Sequence, residues 1–307
     1  MHQRFFERPA ERTAADEDAL SQSAVLIDQD RTIRLHYTDT GPAICSAPVI
    51  ALLHGSGPGS TGWANFAANR PALIDAGFRV ICVDLPGWGR SDAVICTEDR
   101  SALNARALHA TLNAAEVNAP VHLIGSSMGA HSAVAFALQW PERVHALVLY
   151  EPTLFALVDS ATPPPNAADG IRHTVTRATA ALAAGDRSAA AEIFIDYWMG
   201  DGAWAAKPDA QRGAIETAVT HVQGWGRALF GEPTPLDAFQ ALQMPVLLMQ
   251  GSDTTASARA VSTLLARTLP RLETRTCDGL GHLGPITHPA IVDAAIEECL
   301  GHYASAA

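Results

Sequence analysis

Five short apolar runs constrain this chain more than anything else in it: "PVIALLHG" (48–55), "RVICVDLPG" (79–87), "VHLIG" (121–125), "RVHALVLYE" (143–151) and "MPVLLMQGSD" (244–253). They are rich in Val, Ile and Leu, and four of the five run into a glycine. A strand that is apolar at successive positions must bury both of its faces, and a parallel sheet covered by helices on either side is the arrangement that allows it. Helical stretches at 68–76, 99–116, 127–139, 256–268 and 288–303 fall between or after these runs. A sixth strand is read at 271–279, and 24–41 reads as a two-stranded hairpin turning near Asp28 to Asp30. The expectation is an α/β fold, a mostly parallel sheet with helices on both faces.

That rhythm stops after residue 151. Residues 152–242 open with "TPPPN" nearby and continue in alanine-rich helical stretches with no convincing strand, which reads as a helical insertion between two parts of one core, 23–151 and 243–307. Residues 1–22 read as a loose polar arm. With 307 residues, 48 % of them hydrophobic, the chain can bury a sizeable core.

Composition excludes several classes of partner. The net charge of -11 and the lack of any basic run argue against nucleic acid. The cysteines at 45, 82, 96, 277 and 299 are odd in number and contain no CxxC pair, so neither a disulfide framework nor a zinc site is expected. No run of about 18 apolar residues is present, and the N-terminal charges are not followed by an apolar stretch; the expectation is a cytoplasmic protein that neither crosses nor enters a membrane. "GSGPGS" lacks GxGxxG spacing, and no His and carboxylate pair shows ligand spacing on one element, so no cofactor and no metal are expected.

The chemistry is expected at "GSSMG" (125–129). A serine on a sharp turn between strand and helix projects its hydroxyl outward only if the residues two before and two after it are small. Ser127 has Gly125 and Gly129 at those places, whereas Ser126 has Ile124 and Met128, so Ser127 is the candidate nucleophile. "HGSGPGS" (54–60) follows a strand and exposes backbone N–H groups able to hold an oxyanion. "DGLGHLGPITHP" puts His282 after the last strand, in the serine, acid, histidine chain order of this motif's usual setting. His54 reads as structural, His131 lies a turn into the helix, and His288 reads as a cap or surface residue.

Together these stretches resemble the α/β-hydrolase superfamily. "HGSGPGSTGWANF" (54–66), "VDLPGWGRSD" (83–92), "LNARAL" (103–108) and "GSSMGAHSAVAFALQWPERV" (125–144) are similar to the meta-cleavage product hydrolases, which cleave a carbon–carbon bond in ring-fission products of catechols. The close resemblance covers about residues 48–150. It implies an eight-stranded, mostly parallel sheet with 152–242 as a helical lid. It also implies Ser127 as nucleophile or water-activating group, His282 as base, oxyanion N–H groups from Gly57 and Met128, and Ser56 and Asn65 facing the substrate. Ser126 stands where that family usually has Asn, and Leu283 where it usually has Trp after the histidine. Arg212 is the best spaced candidate for the family's carboxylate-binding lid arginine. The resembling hydrolases are often dimers or larger, which makes a homo-oligomer a candidate.

For the acid, most relatives place a carboxylate three residues beyond a glycine after the post-lid strand. Here Asp253 lies two beyond Gly251 and Thr254 stands at that place; Asp253 is the first choice. Glu151, at the carboxyl end of a strand, is the alternative. The leading functional expectation is a cofactor-independent serine hydrolase on a small molecule, acting on a ring-fission carbon–carbon bond. Alternatives are a carboxylesterase, thioesterase or lactonase, a cofactor-free haloperoxidase, and a ligand-binding protein on the same fold. A haloalkane dehalogenase is disfavoured because that chemistry requires Asp at position 127.

Overall fold

The computed structural model describes residues 14–28, 30–40, 47–57, 59–94, 100–220, 225–231 and 234–304. Eight strands form one sheet: β1 (Ser21–Asp28), β2 (Arg31–Thr40), β3 (Val49–Leu53), β4 (Arg79–Val83), β5 (Val121–Ser126), β6 (Val144–Tyr150), β7 (Val246–Gly251) and β8 (Leu272–Cys277). They lie in the order β1-β2-β4-β3-β5-β6-β7-β8. β2 pairs antiparallel with both β1 and β4, and every pairing from β4 to β8 is parallel. The α/β architecture and the eight strands expected above are therefore present.

The apolar runs are apolar for the expected reason. In β3, Val49, Ala51 and Leu53 enter one hydrophobic core while Ile50 and Leu52 enter a second one on the opposite face. Each fully buried Ile or Leu contributes about 2 kcal/mol relative to exposure. Helices α1 (Ala14–Leu20), α2 (Gly62–Asn65), α3 (Arg70–Asp75), α4 (Arg100–Ala114) and α5 (Met128–Gln139) lie between or before the first strands. Leu103, Leu108 and Leu112 of α4 join Phe136 of α5 in the first core, and Leu73 of α3 joins the second.

Between β6 and β7 the described residues hold α6 (Phe155–Ala161), α7 (Asp169–Ala183), α8 (Arg187–Met199), α9 (Asp209–Ala218) and α10 (Trp225–Phe230), with no strand. In α7, Ile171, Thr174, Val175, Ala178 and Leu182 are buried, the three- and four-residue spacing of a helix with one covered face. The chain then returns to β7, α11 (Ala256–Ala266), β8, α12 (Gly284–Thr287) and α13 (Pro289–Ala304).

The N-terminal expectation changes in part. Residues 1–13 lie outside the described residues, but Ala14–Leu20 is a helix and Ser21 already belongs to β1. Cys45 and Cys96 also lie outside the described residues. Among the described residues, no helix is long and apolar enough to cross a membrane.

Candidate active site

Strand register builds the site. Ser126 of β5 is level with Tyr150 of β6, and Tyr150 with Met249 of β7, so Ser127 and Glu151 leave the sheet side by side at its carboxyl edge. Ser127 has φ 56° and ψ -119°, and its N–H donates to the Tyr150 carbonyl at 2.9 Å. The steric reading of "GSSMG" holds at Gly129, where an added Cβ would lie 1.9 Å from the Leu53 carbonyl oxygen. Of the three non-glycine residues with positive φ among the described residues, two are Ser127 and Glu151 (φ 45°). Such backbone costs of order 1–3 kcal/mol per residue and is a recognised mark of functional sites.

His282 reaches this edge from the loop after β8. The Tyr150 hydroxyl donates to the Gly281 carbonyl at 2.7 Å, and the Asp253 N–H donates to the Leu280 carbonyl at 3.0 Å. Gly251 permits the approach, since a Cβ there would lie 1.9 Å from the Leu280 oxygen. So held, His282 has Nε2 3.0 Å from Ser127 Oγ and Nδ1 2.7 Å from Glu151 Oε2. A carboxylate only accepts, so Nδ1 carries the proton and Nε2 is free to accept from the serine hydroxyl.

Glu151 is fully buried. Its Oε1 accepts from the Gly251 N–H at 2.8 Å, and its Oε2 accepts from the Thr254 hydroxyl at 2.7 Å as well as from His282. Burial by itself pushes the carboxyl up, but these hydrogen bonds and the neighbouring imidazole together hold it below the usual carboxylate range.

The carboxylate that meets His282 is thus Glu151, the alternative acid, and not Asp253, the first choice. Asp253 is exposed and accepts from the Ser252 hydroxyl at 3.0 Å, while the next residue, Thr254, turns inward to Glu151. The turn after Gly251 sends successive side chains to opposite sides, and the inward one is the threonine.

A cavity of about 220 Å³ opens over Ser127 and His282. Ser56, Gly57, Asn65, Ser126 and Leu283 line it, all five expected there. The loop carrying Gly57 lies against the serine, for a Cβ on Gly55 would be 3.3 Å from that of Ser127. His54 holds this loop: its Nδ1–H donates to the Gly55 carbonyl at 2.6 Å, and its Nε2 accepts the Leu85 N–H at 3.0 Å. Met128 is the first residue of α5, where an N–H has no acceptor within the helix.

Arg212 is not brought to the cavity. Its Nε donates to the Lys207 carbonyl at 2.9 Å and its guanidinium pairs with Asp209 at 3.1 Å, one turn away along α9. Lys207 lines the cavity instead. It is the one lysine in the sequence, a compositional signal that could have singled it out. Three further residues were not anticipated. Trp198 of α8 stacks on the His282 ring. Thr153 lines both the cavity and a small recess behind it that also contains Asn104. Thr153 Oγ1 and Asn104 Oδ1 are buried without a hydrogen-bond partner among the described residues. Asn104 lies within "LNARAL", whose resemblance pointed to it without a role. Among the described residues no group of three His, Cys, Asp or Glu side chains is gathered where it could hold a metal ion.

A serine on a strained strand-to-helix turn, beside a histidine at the sheet's carboxyl edge, agrees with the match of residues 50–295 to the model of the alpha/beta hydrolase family. The chain belongs to that family. Over 133 residues it is 52% identical to the 2-hydroxy-6-oxononadienedioate/2-hydroxy-6-oxononatrienedioate hydrolase of Burkholderia vietnamiensis. It is 49% identical to the hydrolase of the same name from Escherichia coli strain K12. In each case the match spans 43% of this chain and 45% of the relative, so the chain covers less than half the length of these curated relatives. Among solved structures, a thermophilic esterase from Thermogutta terrifontis superposes with a TM-score of 0.69 at 25% identity, covering 92% of this chain and 98% of the esterase. A 2-hydroxy-6-oxo-6-phenylhexa-2,4-dienoate hydrolase from Rhodococcus superposes with a TM-score of 0.66 over 91% of this chain and 98% of its own; at 18% identity it shows the shared fold alone.

Proposed function

We infer that the chain is a cofactor-independent serine hydrolase acting on a small, largely apolar substrate that carries an anionic group, of the kind formed when a catecholic ring is opened. The observation that carries this is the unbroken relay from Ser127 Oγ through His282 to the buried Glu151, at 3.0 and 2.7 Å, facing a cavity. The binding-protein alternative drew on the uncertain acid, and Glu151 supplies a carboxylate where one was in doubt.

In this reading, His282 Nε2 takes the proton as Ser127 Oγ, or a water it orients, attacks the substrate carbonyl. The resulting imidazolium is held by Glu151, and the oxyanion by the N–H groups of Met128 and Gly57. His282 then returns the proton to the departing group. In a ring-fission product that group is a carbon whose electron pair is spread over the neighbouring conjugated system. Where Ser127 has attacked, a water that gives its proton to His282 frees the acyl group, after which His282 reprotonates the serine. The 152–242 segment acts as the lid, and Trp198, Ile215 and Leu229 supply an apolar wall from it. Lys207 replaces Arg212 as the residue meeting the anionic group, with Asn65, Ser56, Ser126 and Leu283 around the reacting carbon.

The test is an assay on a chromophoric 2-hydroxy-6-oxo-dienoate beside a neutral nitrophenyl ester. Dienoate bleaching that Ser127→Ala abolishes is expected. Ester turnover with no bleaching overturns the carbon–carbon reading in favour of an esterase, the activity named for the Thermogutta neighbour. Lys207→Met is expected to raise KM for the dienoate about 10-fold to 100-fold, as loss of a charge-assisted contact does, while leaving KM for the neutral ester within about twofold. Arg212→Met is expected to change neither.

A further inference from the structure

Two edges of the His282 ring are occupied by Ser127 and Glu151, and the ring also has a face. Trp198 covers it: the ring centroids are 3.8 Å apart and the planes differ by 21°. This indole does not come from the sheet edge that builds the rest of the site. It sits one residue before the end of α8, in the helical segment between β6 and β7.

The position is braced. Phe194 meets the indole edge-on at 6.3 Å and Tyr197 at 4.9 Å. Phe155 of α6 stacks on it at 6.5 Å. The Tyr197 hydroxyl is 2.8 Å from Ser257 Oγ, which in turn donates to the Ala167 carbonyl at 2.9 Å, tying the end of α8 to α11. Asp196 accepts from the N–H groups of Gly202 and Trp204 at 3.1 and 2.7 Å, fixing the chain as it leaves the helix.

Chemistry gives this contact a use. When Nε2 takes the serine proton, the ring becomes a cation, and an indole face attracts a cation by about 0.5–2 kcal/mol, depending on how far water is excluded. The neutral ring gains little from the same face. The attraction therefore grows as the proton moves, which is the condition for lowering a barrier rather than merely binding. A stacked ring also cannot rotate away from Ser127 and Glu151.

We propose that Trp198 is a positioning residue for the catalytic base, supporting the His282 imidazolium face-on, so that the triad is complete only with α8 docked. The proposal rests on the assignment of Ser127 and His282 as the reacting pair, and it is independent of which bond the enzyme cleaves.

The experiment measures the rate of Ser127 labelling by a fluorophosphonate, together with kcat and KM for a nitrophenyl ester, in the full chain. Trp198→Leu and Trp198→Met remove the aromatic face while keeping apolar bulk. They are expected to slow labelling and kcat by about 3-fold to 30-fold, a larger effect than any rise in KM from the lost indole wall. Trp198→Phe is expected to restore most of the loss. Unchanged labelling in the Leu and Met variants overturns the proposal. So does an equal loss in the Phe variant, which would make indole bulk, and not an aromatic face, the requirement. Thermal unfolding identifies any variant that fails to fold; the remaining substitutions still decide the outcome. Labelling that persists in Ser127→Ala would instead overturn the assignment of the site itself.

Discussion

Two chains of serine, histidine and carboxylate lie in this fold with nearly the same internal distances. At the sheet's carboxyl edge, His282 stands 3.0 Å from Ser127 and 2.7 Å from Glu151. Beside β1 and β2, His36 stands 2.9 Å from Ser21 Oγ and 2.8 Å from Asp84 Oδ2. Their surroundings differ. The Ser21 hydroxyl already donates to the Glu17 carbonyl at 2.8 Å, and Arg90 donates to it at 3.3 Å. Asp84 also accepts the N–H groups of Gly62 at 2.9 Å and Arg90 at 3.0 Å, which makes it a clamp on two loops. Ser127 stands on a strained turn and faces the cavity. The spacing of three groups thus does not make a nucleophile. Ser127 joins a hydroxyl directed at a histidine with an open cavity, whereas the Ser21 hydroxyl is already given to Glu17.

The strongest way to break this contrast is to remove each serine. Ser127→Ala should lower ester turnover and fluorophosphonate labelling by about 10⁴-fold or more, as loss of a triad nucleophile does. Ser21→Ala should leave both within about twofold. A comparable loss in Ser21→Ala would mean that the two clusters had been told apart wrongly.

The acids give the next largest effect. Glu151→Gln should lower kcat by about 10³-fold to 10⁴-fold, since an amide in place of the carboxylate favours the wrong tautomer of the histidine. Asp253→Asn should be close to neutral, because the exposed Asp253 carboxylate is turned away from the ring. Steady-state rates on one ester separate these outcomes.

Stability reverses the ranking. Asp84→Asn should cost about 2–4 kcal/mol in urea unfolding, because a buried acceptor of three N–H groups becomes a poorer one. Ser127→Ala should cost nearly nothing, as the strained turn remains and one hydroxyl is lost. A large cost in Ser127→Ala with none in Asp84→Asn would overturn the assignment of one cluster to chemistry and the other to structure.

Acid separates the clusters least. Burial alone would raise Asp84, as it would Glu151, yet the His36 hydrogen bond and the Arg90 and Gly62 N–H groups hold Asp84 below the usual range. A carboxyl held lower in the folded than in the unfolded state contributes stability that is present above the unfolded value, about pH 4, and is lost as pH falls through the folded value. Unfolding free energy should therefore fall below about pH 4, and fall less steeply in Asp84→Asn and in Glu151→Gln than in the unmodified chain. Equal slopes in all three would show that neither carboxylate is held low.

Much of the site was legible where the physics is local. The choice of Ser127 over Ser126 follows from which neighbours must lack side chains, a requirement confined to two residues on either side. His282 followed from chain order together with its glycine-flanked loop. Glu151 and Asp253 could not be told apart in that way, since both follow strand ends and either could face a histidine. Arg212 had suitable spacing, but helix phase pairs it with Asp209 and leaves Lys207 at the cavity. Trp198 carried no signal at all, because nothing in "FIDYWMG" says what the end of that helix will dock against.

The α/β architecture, the place of the glycine-flanked turn and which of its two serines stands on it could be read from the chain alone. Each depends on how a residue's own neighbours can pack: apolar runs buried on both faces, and glycines where backbone passes within contact distance. The carboxylate beside the histidine, the cation at the cavity and the aromatic cover on the imidazole emerge only once the elements are packed. Those depend on strand register, on the direction of the turn after Gly251 and on the docking of α8. His282's partners, Trp198 84 residues and Glu151 131 residues away along the chain, are set by the packing of whole elements, which no local pattern encodes.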